Sequence, residues 1–114
     1  MATTSKNDSQ VLTGLWAQLP IPTEATTSRV VVNNEVLRIV EFAMDAGQEL
    51  TDHASDRAVA VLALAGALTL SISGEPRTLD AGDVVYLAPG ERHAVVAESP
   101  CRFTLVLLHP APSA

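Results

Sequence analysis

From residue 28 onward, short apolar and β-branched segments alternate with turn residues at intervals of about eight to twelve residues. Asn33-Asn34 and Gly74-Glu75-Pro76 are examples of these turns. No stretch long enough for a crossover helix separates the segments, so the pattern favours an antiparallel all-β sandwich or barrel over a parallel α/β sheet. The predicted strands are 29–32, 36–44, 48–53, 58–65, 67–72, 78–79, 84–87, 93–97 and 102–108.

The N-terminal part of the chain follows a different pattern. Residues 1–10 are polar, and we predict a disordered or loosely packed tail over 1–14. The segment after the polar stretch predicts a short helix or turn that packs on the body and ends at Pro20. The barrel domain is predicted over 15–110. Apolar residues at helical spacing carry the helix prediction: Leu12, Leu15, Trp16 and Leu19.

Composition narrows the class of protein. A chain of 114 residues argues for one domain, and 47% apolar against 18% charged residues is enough for a core. A net charge of −6 argues against nucleic-acid partners and gives no attraction to an anionic membrane. The longest apolar run, 58–65, is strand-sized, the N-terminus has no signal-peptide pattern, and Cys101 has no partner for an internal disulfide. We therefore expect a cytoplasmic protein.

The first candidate motif lies between two glycines. Gly47 is followed by five residues, then His53, Ser55 two positions later, Val59 four positions after that, and Gly66 after six more residues. This spacing resembles the first motif of the cupin superfamily, in which glycine, five residues, His-x-His, three or four residues, Glu and six residues precede the last glycine. Here Ser55 and Val59 stand where the family has its second His and its Glu.

The second candidate motif begins at Gly82. Five residues separate it from Ala88-Pro-Gly90, and two more precede His93, with Ala97 four positions further on. This resembles the second cupin motif, in which Pro-x-Gly, two residues, His, three residues and Asn follow the first glycine. Ala88 and Ala97 replace the family's Pro and Asn, whereas His93 is in register.

The resemblance covers about residues 35–108. It implies a double-stranded β-helix, or jelly-roll barrel, preceded by a short N-terminal extension. It also implies a site where three His and one Glu present their donors to a divalent metal, of which this chain keeps His53 and His93. Members of the family commonly form dimers, so a homodimer is expected.

Strand periodicity predicts which side chains line a pocket. On a regular strand from His53 to Ala65, alternate residues face one side, and this would place a polar mouth above an apolar wall. The opposite face, with Ala60, Leu62 and Leu64, is apolar too, and would need a cover from the N-terminal segment or another subunit. The candidate ligand-binding residues are His53, Ser55, Arg57, Val59, Val61, Ala63, Tyr86 and His93.

Three functional hypotheses remain open at this point. The first is a metal-free module that binds a small molecule in the barrel, with Arg57 pairing a ligand carboxylate. The second is a metal-dependent oxygenase or isomerase with Fe, Mn, Ni or Zn on His53 and His93. Its third ligand would come from Glu41, Glu49 or Asp56. The third hypothesis is a dimeric partner of another protein, and in each case we expect Cys101 to be inert.

Overall fold

The computed structural model describes residues 4–109, which contain one short α-helix and nine β-strands. The helix α1 spans Leu15–Gln18. Each predicted strand is present, with boundaries moved by a few residues. The strands are β1 Thr26–Asn33, β2 Leu37–Met44, β3 Glu49–His53, β4 Val59–Ala65, β5 Ala67–Ile72, β6 Glu75–Asp80, β7 Val84–Leu87, β8 His93–Ala97 and β9 Cys101–Leu108.

The strands form two antiparallel sheets. Sheet A has the order β1-β2-β9-β4-β7, and sheet B has the order β3-β8-β5-β6. This two-sheet arrangement confirms the predicted all-β jelly roll. The strand β6 extends through Pro76, where the sequence predicted only residues 78–79, because β6 is the edge of sheet B and an edge strand tolerates a residue without an N–H.

The core lies between the two sheets. Phe103 of β9 is fully buried, and its ring stacks on that of Phe42 on β2 with centroids 4.8 Å apart. The pairing of β2 with β9 is uninterrupted, so alternate residues of both strands face the core along their whole length. The buried apolar cluster comprises Met44, Val59, Val61, Ala63, Leu68, Leu70, Leu79, Leu87, Val95, Ala97, Cys101 and Phe103.

A close approach between two loops fixes the crossing from sheet A to sheet B. Gly66 separates β4 from β5 and has a φ of +70°, a conformation that glycine adopts without strain. A Cβ on Gly66 would lie 2.1 Å from the carbonyl oxygen of Pro100. The last glycine of the first motif is therefore required by the packing of the β8–β9 loop against this crossing.

The N-terminal segment packs on the outer face of sheet A. Arg102 of β9 donates from Nη1 to the carbonyl of Leu19 at 2.7 Å, and its guanidinium lies 5.0 Å from the centre of the Trp16 ring. The helix is shorter than the apolar spacing predicted, since Gly14 precedes it with a left-handed φ of 69°. No helix within residues 4–109 is long and apolar enough to cross a membrane.

Candidate functional site: an apolar cavity with two histidines at its mouth

A cavity of about 150 Å³ lies inside the barrel between the sheets. Its surface is mostly aliphatic and aromatic, and its polar side chains are two imidazoles. Both sheets contribute to the lining, so the cavity exists only in the assembled sandwich. The residues that line it are Phe42, Leu50, His53, Val61, Leu70, His93, Val95, Phe103 and Leu105.

His53 and His93 face each other across neighbouring strands at one end of this cavity. They are Cα partners in the β3–β8 ladder, and their ring centroids lie 4.2 Å apart with the planes at 60°. His93 is buried, with 6% of its surface exposed, whereas His53 is exposed. The pair therefore marks the mouth, where the cavity meets solvent.

Each imidazole is oriented by a backbone carbonyl two residues earlier in the chain. Nδ1 of His53 lies 2.7 Å from the carbonyl oxygen of Thr51, and Nδ1 of His93 lies 3.0 Å from that of Glu91. Because a carbonyl oxygen only accepts hydrogen bonds, Nδ1 is the protonated nitrogen in both rings. The Nε2 atom of each ring is then left to accept a hydrogen bond or to ligate a metal.

A bulge in β3 turns His53 toward the cavity. Leu50 pairs with Val95 and His53 pairs with His93, so three steps along β3 match two steps along β8. On a regular strand, residues three apart face opposite sides, yet Leu50 and His53 both line the cavity. The bulge accommodates the extra residue, so both side chains face the same side despite their odd spacing.

An ion pair spans the bulge. Asp52, inside the bulge, accepts from Nε of Arg92 at 2.7 Å, and Arg92 directly precedes His93. The contact joins the strand that carries one histidine to the residue just before β8, which begins at the other. Sequence reasoning missed both residues, since 40 positions separate them and both stand at motif positions that accept any residue.

Of the other predicted site residues, Val61 lines the cavity and the rest do not. Val61 lines it, whereas Val59 and Ala63 are buried in the surrounding core. The hydroxyl of Ser55 accepts from the backbone N–H of Arg57 at 3.1 Å and so caps the turn before β4. Within residues 4–109, the buried Nη1 atom of Arg57 has no hydrogen-bond partner.

Two predictions need correction, the facing of Tyr86 and the regular strand from His53 to Ala65. Tyr86 lies on the outer face of sheet A, opposite Ala60 in the β4–β7 ladder, and is 66% exposed, so it faces away from the cavity. The residues from His53 to Ala65 are also not one strand, because β3 ends at His53 in sheet B and β4 begins at Val59 in sheet A. The chain crosses between the sheets in the intervening turn.

The three candidates for a third metal ligand do not join the histidines. Glu41 lies on the outer face of sheet A, where it accepts from the hydroxyl of Thr104 at 2.9 Å. Glu49 faces away from the core beside the inward-facing Leu50, and Asp56 is exposed in the turn before β4. Residues 4–109 contain no cluster of three His, Cys, Asp or Glu side chains that could hold a metal ion.

Cys101 lies away from the site. It is fully buried against the core, and burial raises the pKa of its thiol because the thiolate loses its hydration there. This environment suits an inert packing residue.

The two-sheet barrel with a histidine on each of two paired strands defines the class of protein. The sequence profile of the cupin domain matches residues 40–107, and the chain belongs to that family. A search of curated protein sequences found no match.

Solved structures agree with this fold. A conserved protein of unknown function from Streptococcus pyogenes superposes with a TM-score of 0.82 at 25% identity, covering 98% of each chain. A cupin superfamily protein from Desulfitobacterium hafniense gives 0.80 at 14% identity, covering 90% of this chain and 94% of the other. An oxalate decarboxylase variant from B. subtilis gives 0.62 at 24% identity over 69% of this chain, which matches 22% of that larger protein.

Proposed function

We propose that this cupin binds a small molecule in the apolar cavity between its sheets. The observation that carries the proposal is the combination of an apolar lining with two imidazoles at the mouth, whose Nδ1 atoms are held by backbone carbonyls so that Nε2 is left to meet a ligand. An apolar lining supplies affinity, while a few fixed polar groups orient the ligand. A cavity of roughly 150 Å³ with such walls accommodates a molecule about the size of benzene.

Filling the cavity tests this proposal. Leu105→Phe adds volume on the lining, and we expect it to remove the binding of a neutral probe such as benzyl alcohol, followed by NMR titration. The matched control is Leu108→Phe, the same substitution on the outer face of the same strand, where Leu108 is 41% exposed. Leu50→Phe repeats the test from sheet B. Equal probe binding by wild type, Leu105→Phe and Leu50→Phe would contradict the proposal.

A metal-dependent oxygenase or isomerase is the second candidate. One observation supports it: carbonyl acceptors orient both Nδ1–H groups, as is usual for histidines that bind metals through Nε2. Two imidazoles fall short of the three protein ligands that catalytic ions usually take, and residues 4–109 offer no third ligand beside them. The donor set therefore does not fit a complete metal site.

Elemental analysis of tag-free protein separates the two candidates. The metal-free proposal predicts metal well below one equivalent, even after incubation with Fe, Mn, Ni or Zn salts. The metal-dependent candidate predicts near-stoichiometric metal that is lost in the His53→Ala/His93→Ala double variant. His109→Ala removes the one remaining histidine of the sequence and serves as the control, since His109 lies after β9 and does not line the cavity.

We also propose that two copies associate through an apolar patch on the outer face of sheet A, formed by Ala60, Leu62, Val84 and Tyr86. Val84 and Tyr86 are 65% and 66% exposed, and they pair with Leu62 and Ala60. The N-terminal segment packs near Arg102 instead of on this patch. The patch is uncharged in a chain whose net charge is −6, so two copies would meet there with the least repulsion.

A further inference from the structure

Two arginines each have one buried guanidinium atom without a hydrogen-bond partner in the described part of the chain. Nε of Arg38 and Nη1 of Arg57 are buried, and no hydrogen-bond partner for either lies within residues 4–109. The ion pairs in that part of the chain involve neither residue. Leaving a buried charged donor unpaired is unfavourable, so the arrangement points to an anion that would complete it.

The side chain of Arg38 belongs to the face of sheet A that lines the cavity. Phe42 lines the cavity, and Arg38 is four residues earlier on the same strand. The β2–β9 register runs without a shift from Leu37 to Met44, so Arg38 and Phe42 face the same side. Leu107, its partner on β9, is two residues beyond the cavity-lining Leu105, which puts Arg38 roughly 7 Å further along the barrel.

The displacement from Phe42 to Arg38 along the barrel is toward the mouth of the cavity. β3 ends at His53, β8 starts at His93 and β4 starts at Val59, and these three ends lie together because the 54–58 turn joins the first to the third. Leu107 pairs with Arg38 on one side and with Val59 on the other, so the start of β2 lies at the same end.

Arg57 lies beyond the first residue of β4, Val59, and so further toward the mouth. Val59 faces the core opposite Leu107, and the N–H of Leu108 donates to the carbonyl of Ala58 at 3.0 Å, so the β4–β9 ladder continues past the first residue of β4. Arg57 is two residues before Val59 at the end of the 54–58 turn, and its buried Nη1 shows that the side chain packs against the protein at this end. Both guanidiniums therefore belong to the same end of the barrel as the two histidines.

We propose that Arg38 and Arg57 bind the carboxylate of a small monocarboxylic acid whose apolar body fills the cavity. This deepens the proposed function and rests on it. A guanidinium matches a planar carboxylate through two parallel hydrogen bonds, and the cavity volume limits the body to about six carbon atoms. The net charge of −6 disfavours general attraction of anions, so binding requires this local cationic group.

The test compares each acid with its neutral amide. EDTA-treated full-length protein is titrated by NMR with benzoate against benzamide and with hexanoate against hexanamide, so that shape is held constant and no metal contributes. We expect the acid to bind at least about tenfold more tightly, as one charge-assisted hydrogen bond implies. Arg38→Gln and Arg57→Gln remove this advantage, and Arg77→Gln, an exposed arginine on β6, leaves it unchanged.

The outcomes distinguish the inference from the proposed function. If acids and amides bind equally, or if both Gln variants keep the preference for acids, the proposed function stands, but the inferred role of the arginines is wrong. If neither acid nor amide binds, the inference and the proposed function are both wrong. Arg38→Lys retains the positive charge and is used beside Arg38→Gln in case the latter fails to fold, as judged by circular dichroism.

Discussion

At the scale of single residues, the site combines two paired imidazoles with apolar side chains that pack like the rest of the core. His53 and His93 stand at fixed distances from glycines, and the structure brings their rings together. Phe42, Leu50 and Phe103 also line the cavity, yet nothing in their spacing distinguishes them from other core residues. Alternation predicts that a side chain faces inward, but whether it meets another side chain or an empty volume depends on both sheets at once.

Gly66 gives a prediction at this scale. Gly66→Ala combines a positive φ with a Cβ placed 2.1 Å from the Pro100 carbonyl oxygen, so the β8–β9 loop must move. We expect a loss of unfolding free energy above the ~1–3 kcal/mol that backbone strain alone costs, measured by urea denaturation. Gly74→Ala is the control, because Gly74 has a φ of +85° and a Cβ at that position would meet no neighbouring atom within 4 Å. Equal losses in the two variants would mean that the close contact has no effect.

At the scale of elements, the nine strands could be predicted from turn residues and β-branched segments, whereas the crossing between the two sheets after His53 could not. The predicted strands ended at His53 and resumed at residue 58, but the alternation of facing was carried across residues 54–58, where the chain passes from sheet B to sheet A. Distant parts of the chain hold this turn. For example, the N–H of Gly90 donates a hydrogen bond to the carbonyl oxygen of Ser55 at 2.7 Å. Such contacts between distant segments leave no local signal.

Asp45 links two elements and gives a pH-dependent prediction. Its carboxylate accepts from the N–H of Glu24, before β1, at 2.7 Å and from that of Ala46, after β2, at 2.9 Å. These hydrogen bonds lower the pKa of Asp45, the bond from Glu24 most. The folded state then favours the ionised form of Asp45. The ionised carboxylate therefore stabilises the fold above the usual pKa of about 3.9, and this stabilisation is lost as the pH falls through the lower pKa of the folded state.

We therefore expect Asp45→Asn to reduce the acid sensitivity of the unfolding free energy between neutral pH and about pH 3. The effect should be small because Asp45 is only half-buried and solvent screens its interactions. Denaturant titrations over this pH range measure it, with Asp56→Asn in the exposed turn before β4 as the control. Identical pH profiles for the two variants would show that the Asp45 hydrogen bonds do not contribute.

At the scale of the whole molecule, the barrel has an apolar core and an exposed apolar patch of Ala60, Leu62, Val84 and Tyr86. The sequence predicted that the outer face of β4 would need a cover, since its residues are apolar on both sides. In the structure, the N-terminal segment packs beside Arg102 of β9, whereas Ala60 and Leu62 of β4 belong to the exposed patch with Val84 and Tyr86 of β7. Only the folded chain shows which part remains open.

The patch predicts a change in solution mass. We expect wild-type protein to be a dimer by sedimentation equilibrium, and Tyr86→Glu to be a folded monomer because two carboxylates would be buried at a symmetric interface. Thr78→Glu, exposed on β6 of the other sheet, is the control and should remain dimeric. A monomeric wild type would contradict the dimer proposal, and a dimeric Tyr86→Glu would place the interface elsewhere.

The bulge in β3 lets the two-histidine arrangement persist when the chain length changes. Removing Thr51 or Asp52 would leave Leu50 and the histidine two residues apart, and regular alternation would then place both side chains on the cavity face without a bulge. The paired site would therefore survive the deletion of a single codon, although the spacing from Gly47 to the histidine would be one residue shorter. Within a lineage, a comparison that requires a fixed number of residues between the glycine and the histidine would overlook such a site.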